Sequence, residues 1–353
     1  MSSIEAVIEG VEICICAGAG GVGKTSTSAA IALGAAQRGR RVAVLTIDPA
    51  KRLANALGLE RLGNEPRRVA GVEGDGELWA MMLDPKRTFD DLVETYASDD
   101  RTRDAVLSNR IYNELSGAVS GSQEYMAMEK LYELHMERRF DLLVLDTPPT
   151  RNALDFLDAP ERLQRFIDSR SLRFFLSPGV KLLGRGSGLL FAVLQRVTGI
   201  DLLRDLSDFF QSFGDMSEGF SQRAERVHEL LGSDAATFVL VASPRRDAID
   251  DAIFFHDQLH RRGMPFGGVV VNRFHDTTGQ KSQVDLEPKL GPELAAKVGA
   301  NYKDFNVLAT RDRTNLKRLT KRLNGEPVIV VPEFDGDVHD LDGLAAMVDH
   351  LYH

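Results

Sequence analysis

Cysteine is nearly absent from this chain: 353 residues hold two, Cys14 and Cys16. Two cysteines allow one bridge at most, and their spacing argues against that one. A disulfide framework is excluded, and the expected setting is reducing and cytoplasmic. An excess of positive charge is also missing. The net charge is −9, which excludes wholesale nucleic-acid binding. Local pairs such as Arg67-Arg68 and Arg245-Arg246 read as solvated surface. No stretch approaches the ~20 apolar residues that a membrane span needs. The longest candidate, Gly188 to Val197, is about half that length and holds Gln195 and Arg196. The first residues lack the basic start and long apolar run of a signal peptide, so none is expected. There is no low-complexity tract and no internal repeat.

What is present is a hydrophobic content of 43%, enough for a sizeable core. The length suits one large α/β unit carrying an insertion. Residues 11–17 form an apolar run that ends in glycines, read as a strand. Residues 24–38 are rich in Ala, Ile and Leu and stop at Gly39, read as a helix closed by glycine. Residues 41–47 are a second strand. Strand, loop, helix, strand implies a parallel sheet. Further strands are expected at 78–83, 141–146, 236–242, 267–272 and 327–331. Their continuous Val/Ile/Leu runs suit strands covered on both faces. Helices are expected at 123–138, 246–262 and 342–352. Residues 60–76, rich in Gly, Glu and Arg, read as a surface loop. Two gaps, about 84–138 and 151–232, read as one helical subdomain inserted into the sheet domain. In the second, Leu202, Leu203, Leu206, Phe209, Phe210 and Phe213 fall at helical spacing.

One motif carries chemistry. Gly18, Gly23, Lys24 and Thr25 fit Gly-x-x-x-x-Gly-Lys-Ser/Thr, placed between a strand and a helix as that motif requires. The loop backbone and helix N-terminus supply positive potential for the phosphates of ATP. Gly20, Gly21, Val22, Gly23, Lys24, Thr25 and Ser26 are the expected nucleotide contacts. Lys24 should meet the β- and γ-phosphates, and the Thr25 hydroxyl should hold Mg²⁺. Asp146 ends an apolar strand, the usual place of a second magnesium anchor. The fold class expected is therefore a P-loop NTPase with a mostly parallel sheet flanked by helices, plus an inserted α-helical subdomain.

The details resemble one family. The loop Gly-Ala-Gly-Gly-Val-Gly-Lys-Thr is similar to the deviant phosphate loop of partition, iron-protein and arsenite-pump ATPases. Thr46-Ile47-Asp48-Pro49-Ala50 and Asp146-Thr147-Pro148-Pro149-Thr150 resemble the two switch segments of the arsenite-pump ATPase (ArsA) family. That family includes cytosolic ATPases that target tail-anchored membrane proteins, and the expected placing is its bacterial branch. The resemblance covers nearly all of the chain, residues 1–353, as one ATPase domain. It implies that Asp48 orients or deprotonates the attacking water and takes part in the Mg²⁺ site. It implies that 146–150 senses the γ-phosphate. It places Val271-Asn272-Arg273 and Val331-Pro332-Glu333 around adenine, with Asn272 and Pro332 as contacts. Glu124, in Ser120-Gly121-Ser122-Gln123-Glu124, sits where relatives often have Pro-Gly-x-x-Glu, and a plain helix-start role stands beside that reading.

The departures from the family pattern are informative. Relatives carry a lysine in Gly-Lys-Gly-Gly that reaches across a dimer; here the position is Ala19. A lone chain should then hydrolyse ATP slowly, unless Lys51, Arg52 or Arg151 substitutes or a related partner subunit supplies the charge. Arsenite transport is disfavoured, because a soft thiolate site takes three cysteines. The Cys-x-x-Cys zinc clasp of some targeting homologues is absent. Cys14 and Cys16 read as core residues. Phe174, Phe175, Leu176, Leu182, Leu183, Leu189, Leu190 and Phe191 form either the subdomain's core, a dimer contact or a groove for an apolar client. The expected activity is a Mg²⁺-dependent, ATP-hydrolysing dimeric switch, homodimer or heterodimer, acting on a hydrophobic client or a membrane protein, cytoplasmic or peripheral to the membrane. The rival readings are a nucleotide-binding regulatory subunit and a partition-type positioning ATPase.

Overall fold

Ile13 and Ile15 face one side of the first strand, and Cys14 and Cys16 face the other. All four are fully buried, each pair in a different apolar cluster. That alternation on one strand tells the architecture: a sheet with a core on both faces. The computed structural model describes residues 3–48, 50–110, 112–113, 122–148, 216, 218–276 and 283–353. Its sheet has eight strands: β1 (Ile13–Ala17), β2 (Arg41–Thr46), β3 (Arg67–Arg68), β4 (Glu77–Met82), β5 (Leu142–Asp146), β6 (Ala236–Ala242), β7 (Phe266–Phe274) and β8 (Val328–Pro332). Their order is β3-β4-β2-β5-β1-β6-β7-β8. Every pairing is parallel except β3 with β4. Burial of every residue in β1, β5 and β6 follows from the double cover.

The expected strands all form, with ends shifted by two residues at most. The segment 60–76 is not wholly loop, because Arg67 and Arg68 make a short antiparallel edge beside Trp79 and Ala80. The helix after the glycine loop runs Lys24–Gln37 and is followed by Gly39 at φ 92°. Between 84 and 138 the described residues are mainly helical: Pro85–Tyr96, Asp100–Leu107 and Ser122–Met136. Of the segment 151–232, residues 218–231 are helical. The apolar residues singled out between 174 and 213 lie outside the described residues, as do Pro49, Pro149, Thr150 and Arg151. No described helix is long and apolar enough to cross a membrane. Ile4–Val7, Arg52–Ala56, Gln283–Leu290 and Pro292–Leu323 are helices not anticipated, the last of them thirty-two residues long.

Two contacts fix the elements around the loop. The helix Leu341–Tyr352 packs on the helix Lys24–Gln37, where Tyr352 Oη donates to the Ile31 carbonyl at 2.6 Å. At the opposite edge, the Arg40 guanidinium donates to the carbonyls of Ile8, Val11 and Asp141 and ties three chain segments together.

Candidate active site

A parallel sheet brings the C-terminal ends of its strands to one edge, and ligands of such sheets bind there. At that edge β1 lies between β5 and β6, and β5 lies between β1 and β2. The ends of β1, β2 and β5 therefore converge, with Cys16 and Thr46 both in register with Asp146.

The loop 18–25 leaves β1 and enters the helix at Lys24. Gly23 caps that helix in the left-handed region, at φ 93°, which glycine alone adopts freely. A Cβ there would also lie 2.2 Å from Asn272 Nδ2. The Asn272 amide is nearly buried and donates to the Val22 carbonyl at 3.0 Å. It braces the loop from behind. Gly18 is pressed against β6, where a Cβ would stand 2.1 Å from the Val241 carbonyl oxygen. The loop is thus held against both β6 and β7.

Lys24 Nζ folds back and donates to the carbonyls of Gly18 and Ala19 at 3.0 and 2.9 Å. Burial lowers its pKa, opposed by the nearby carboxylates of Asp146 and Asp48.

Next to it the carboxylate of Asp146 is 1% exposed. Its Oδ2 accepts from Thr25 Oγ1 at 2.7 Å and from Thr46 Oγ1 at 3.0 Å, while Oδ1 has no partner. Burial pushes the Asp146 pKa up to about 6, although both hydroxyls and Lys24 pull it down. A buried carboxylate oxygen without a donor is costly unless a cation meets it. The Thr46 hydroxyl also accepts from the backbone N–H of Asp48 at 3.2 Å. Asp48 Oδ1 in turn accepts from the Ala50 N–H at 2.9 Å, and Oδ2 lies 3.8 Å from Arg52 Nη1. One chain of contacts therefore runs from Thr25 through Asp146 and Thr46 to Asp48. The two ends of that chain, Thr25 and Asp48, border a cavity of ≈ 470 Å³ lined also by Lys24, Ser26, Arg52 and Thr147 among others.

A family model described as anion-transporting ATPase matches residues 11–311. The chain belongs to this ArsA-type ATPase family. Its relatives include ATPase get3 of Aspergillus terreus and of Aspergillus niger, each 25% identical over 297 residues, which is 82% of either chain. ATPase GET3 of Eremothecium gossypii is 23% identical over 346 residues, 91% of this chain and 90% of its own. All three are fungal, so they support the family and not the bacterial placing. As a member of the ArsA-type family, the chain is an ATPase.

The remaining expected residues fall as follows in this ATPase. Gly20 and Gly21 are exposed at the loop tip, and Val22 is buried beneath it. Pro332 ends β8 and pairs with Phe274 of β7. Asn272 reaches the loop, with its donor engaged by Val22. Ala19 lines two cavities beside the loop. Lys51 is exposed, and Arg52 sits at the Asp48 cavity. Glu124 is in the first turn of the helix Ser122–Met136. Cys14 and Cys16 are free and buried. Sequence reading gave no separate role to Thr46, whose part depends on the β2–β5 register. It also missed Arg273 as a shared wall: at φ 61° it lines both the main cavity and a neighbouring one of ≈ 280 Å³.

Proposed function

We propose that this ATPase is a Mg²⁺-dependent switch that acts as a dimer, with a copy of itself or with a related subunit. The contact chain Thr25–Asp146–Thr46–Asp48, with its orphaned buried oxygen, carries the reading. Thr25, Asp48 and Asp146 offer only oxygen atoms, the donor set that suits a hard cation, and the unpartnered Asp146 Oδ1 fits one. These three residues would hold Mg²⁺, which when bound neutralises charge on the β- and γ-phosphates.

The chain's own residues account for the rest. The N–H groups of residues 20–26 and the helix N-terminus receive the phosphates. Lys24 leaves the carbonyls of Gly18 and Ala19 for phosphate oxygens. Asp48, at the cavity wall, orients the attacking water and accepts its proton. Phosphoryl transfer needs this positioning and charge stabilisation more than covalent help. Thr46 links the Asp48 backbone to Asp146, so loss of the γ-phosphate is felt at both switch segments. Asn272 and Pro332 belong to the adenine side. The output is carried by a helical subdomain built from parts of 84–138 and 151–232, which handles an apolar client or a membrane partner. The setting is the cytoplasm or the membrane surface.

The test is Asp48→Asn. ATP affinity should hold within ~3-fold while turnover falls ~10²–10⁴-fold, the range for loss of a positioned base. Turnover close to that of the unaltered chain would overturn the assignment. The same variant, purified with ATP, should retain the partner or client for identification.

A second reading rests on Ala19. The position carries no cation, so the chain serves as a nucleotide-binding regulatory subunit completed by a partner. ATPase rates measured alone and with candidate partners separate the two readings.

A further inference from the structure

Far from the phosphate loop, the helix Arg246–Arg261 ends beside the turn that precedes β8. This is the opposite edge of the sheet, because that helix begins at the loop cavities, where Arg245 and Asp247 line the wall. Here His256 and His260 lie four residues apart, one turn of helix on one face, and both aim at the same carboxylate. His256 Nε2 is 2.6 Å from Glu326 Oε2, and His260 Nε2 is 2.9 Å from Glu326 Oε1. One ligand atom from each of the three lies within 4.8 Å of the others.

The other nitrogen of His256 makes the arrangement unusual. His256 Nδ1 stands 3.2 Å from Asp257 Oδ1. The ring is therefore flanked by a carboxylate at each nitrogen, yet a neutral imidazole has one N–H. It can donate to Asp257 or to Glu326, not to both. A metal ion on Nε2 removes the conflict. The proton then resides on Nδ1 and donates to Asp257, the carboxylate–histidine–metal arrangement that orients a ligand ring. The alternative, a proton on each nitrogen, places an imidazolium 4.4 Å, centroid to centroid, from the His260 ring.

The surroundings hold the set in place. The His256 side chain is 10% exposed and packs edge-on against Phe266 at 4.8 Å. Asp257 is itself anchored by Arg322 Nη2 at 2.7 Å. Glu326 follows Asn324 and Gly325, both in the left-handed region, and precedes Pro327, so its backbone is set by a tight turn.

We propose that His256, His260 and Glu326 form a binding site for a divalent transition-metal ion, Zn²⁺ foremost. Two imidazoles and one carboxylate are the donors that Zn²⁺ takes, and two histidines four apart on a helix are a recurrent way to present them. With three protein ligands the fourth position is left to water. The ligand atoms of a tetrahedral Zn²⁺ stand about 3.4 Å apart, so the two short histidine–carboxylate contacts would open slightly while any wider separation, within 4.8 Å, closes. The ion would clasp the helix Arg246–Arg261 to the edge strand β8, which pairs with β7 alone.

The test uses the untagged chain stripped with a chelator, in excess Mg²⁺ so that the loop carboxylates do not report. Titration calorimetry with Zn²⁺ should show one site per chain, and Co²⁺ should give the visible spectrum of a tetrahedral nitrogen–oxygen site. His260→Ala is the safest variant, since that side chain is 55% exposed. It should weaken Zn²⁺ binding more than ~100-fold, and Asp257→Asn, acting through His256, by ~10–100-fold. ATP binding by His260→Ala should be unchanged, which shows that the fold is kept. Absence of stoichiometric Zn²⁺ in the unaltered chain overturns the proposal. So does Zn²⁺ binding that survives both His260→Ala and Glu326→Gln.

Discussion

Thr46 shows how much a single hydroxyl can organise. It donates to the Asp146 carboxylate and accepts from the Asp48 backbone, so it joins the two switch segments. Thr46→Val keeps the shape and removes both contacts. Turnover should fall by ~10-fold or more while ATP affinity stays within ~3-fold, as expected for a group that positions others. Equal losses in both would mean that the loop itself had shifted. Asp146 makes the opposite case, a residue whose charge is a burden until a cation arrives. Its pKa is about 6 in the folded chain and ~3.9 when unfolded. A raised carboxylate pKa means that the folded state loses stability as pH rises from about 4 to about 6, and the loss is constant above that. Asp146→Asn should therefore stabilise the nucleotide-free chain at pH 7 by roughly 1–3 kcal/mol. The gain should shrink below pH 6, and Mg²⁺-dependent turnover should be lost. Thermal denaturation across that pH range checks the sign. An unchanged midpoint at pH 7 would mean that the burden is relieved by other means. Asp146 was legible in the sequence because an acid ending an apolar strand stands out. Thr46 was not, since a threonine at a strand end is ordinary until β2 is set beside β5.

The glycine loop, its helix and the strands announced themselves through long apolar runs and punctuating glycines. The helix Pro292–Leu323 did not, for a physical reason. Of its thirty-two residues, five are buried: Ala295, Ala309, Asp312, Leu319 and Leu323. No apolar stripe exists to be read from so wet a helix. Its anchor is polar instead, the fully buried Asp312, which pairs with His275 Nδ1 at 2.7 Å and with Arg311 at 2.8 Å. The loop helix offers a sharper test of element packing. Gly34 sits in the last turn of its helix, where alanine would ordinarily gain up to about 1 kcal/mol from propensity. A Cβ at Gly34, however, would lie 2.2 to 2.8 Å from three atoms of the Tyr352 ring. That ring is held by its hydroxyl on Ile31 and by Arg38 stacked at 4.0 Å. Overpacking of this kind costs ~1–3 kcal/mol, so the clash should win. Gly34→Ala should lower the denaturation midpoint, and a rise would show that the Leu341–Tyr352 helix yields easily.

At the scale of the whole molecule, the open matter is how complete one chain is as a catalyst. Ala19 stands in the loop at the position where the family resemblance of the sequence implies a cation that acts across a dimer. By analogy with other trans-acting charges, such a group is worth ~10³–10⁵ in rate. Ala19→Lys should raise the steady-state ATPase rate of the isolated chain by at least ~10-fold, with a specific activity that grows with protein concentration. A rate indifferent to both the substitution and the concentration would count against a shared site. The sheet order adds a different constraint, one of time. The phosphate loop lies within the first thirty residues, yet the strands on either side of β1 arrive near residues 142 and 236. The helix behind it also waits for the helix Leu341–Tyr352, whose Tyr352 reaches Ile31 from 321 positions later. Chains are synthesised at ~5–20 residues per second, so on the order of tens of seconds separate these pieces. During that interval the loop lacks the strands that flank it in the folded chain. Nucleotide occupancy should therefore come late, and would report that synthesis and folding have both passed β6.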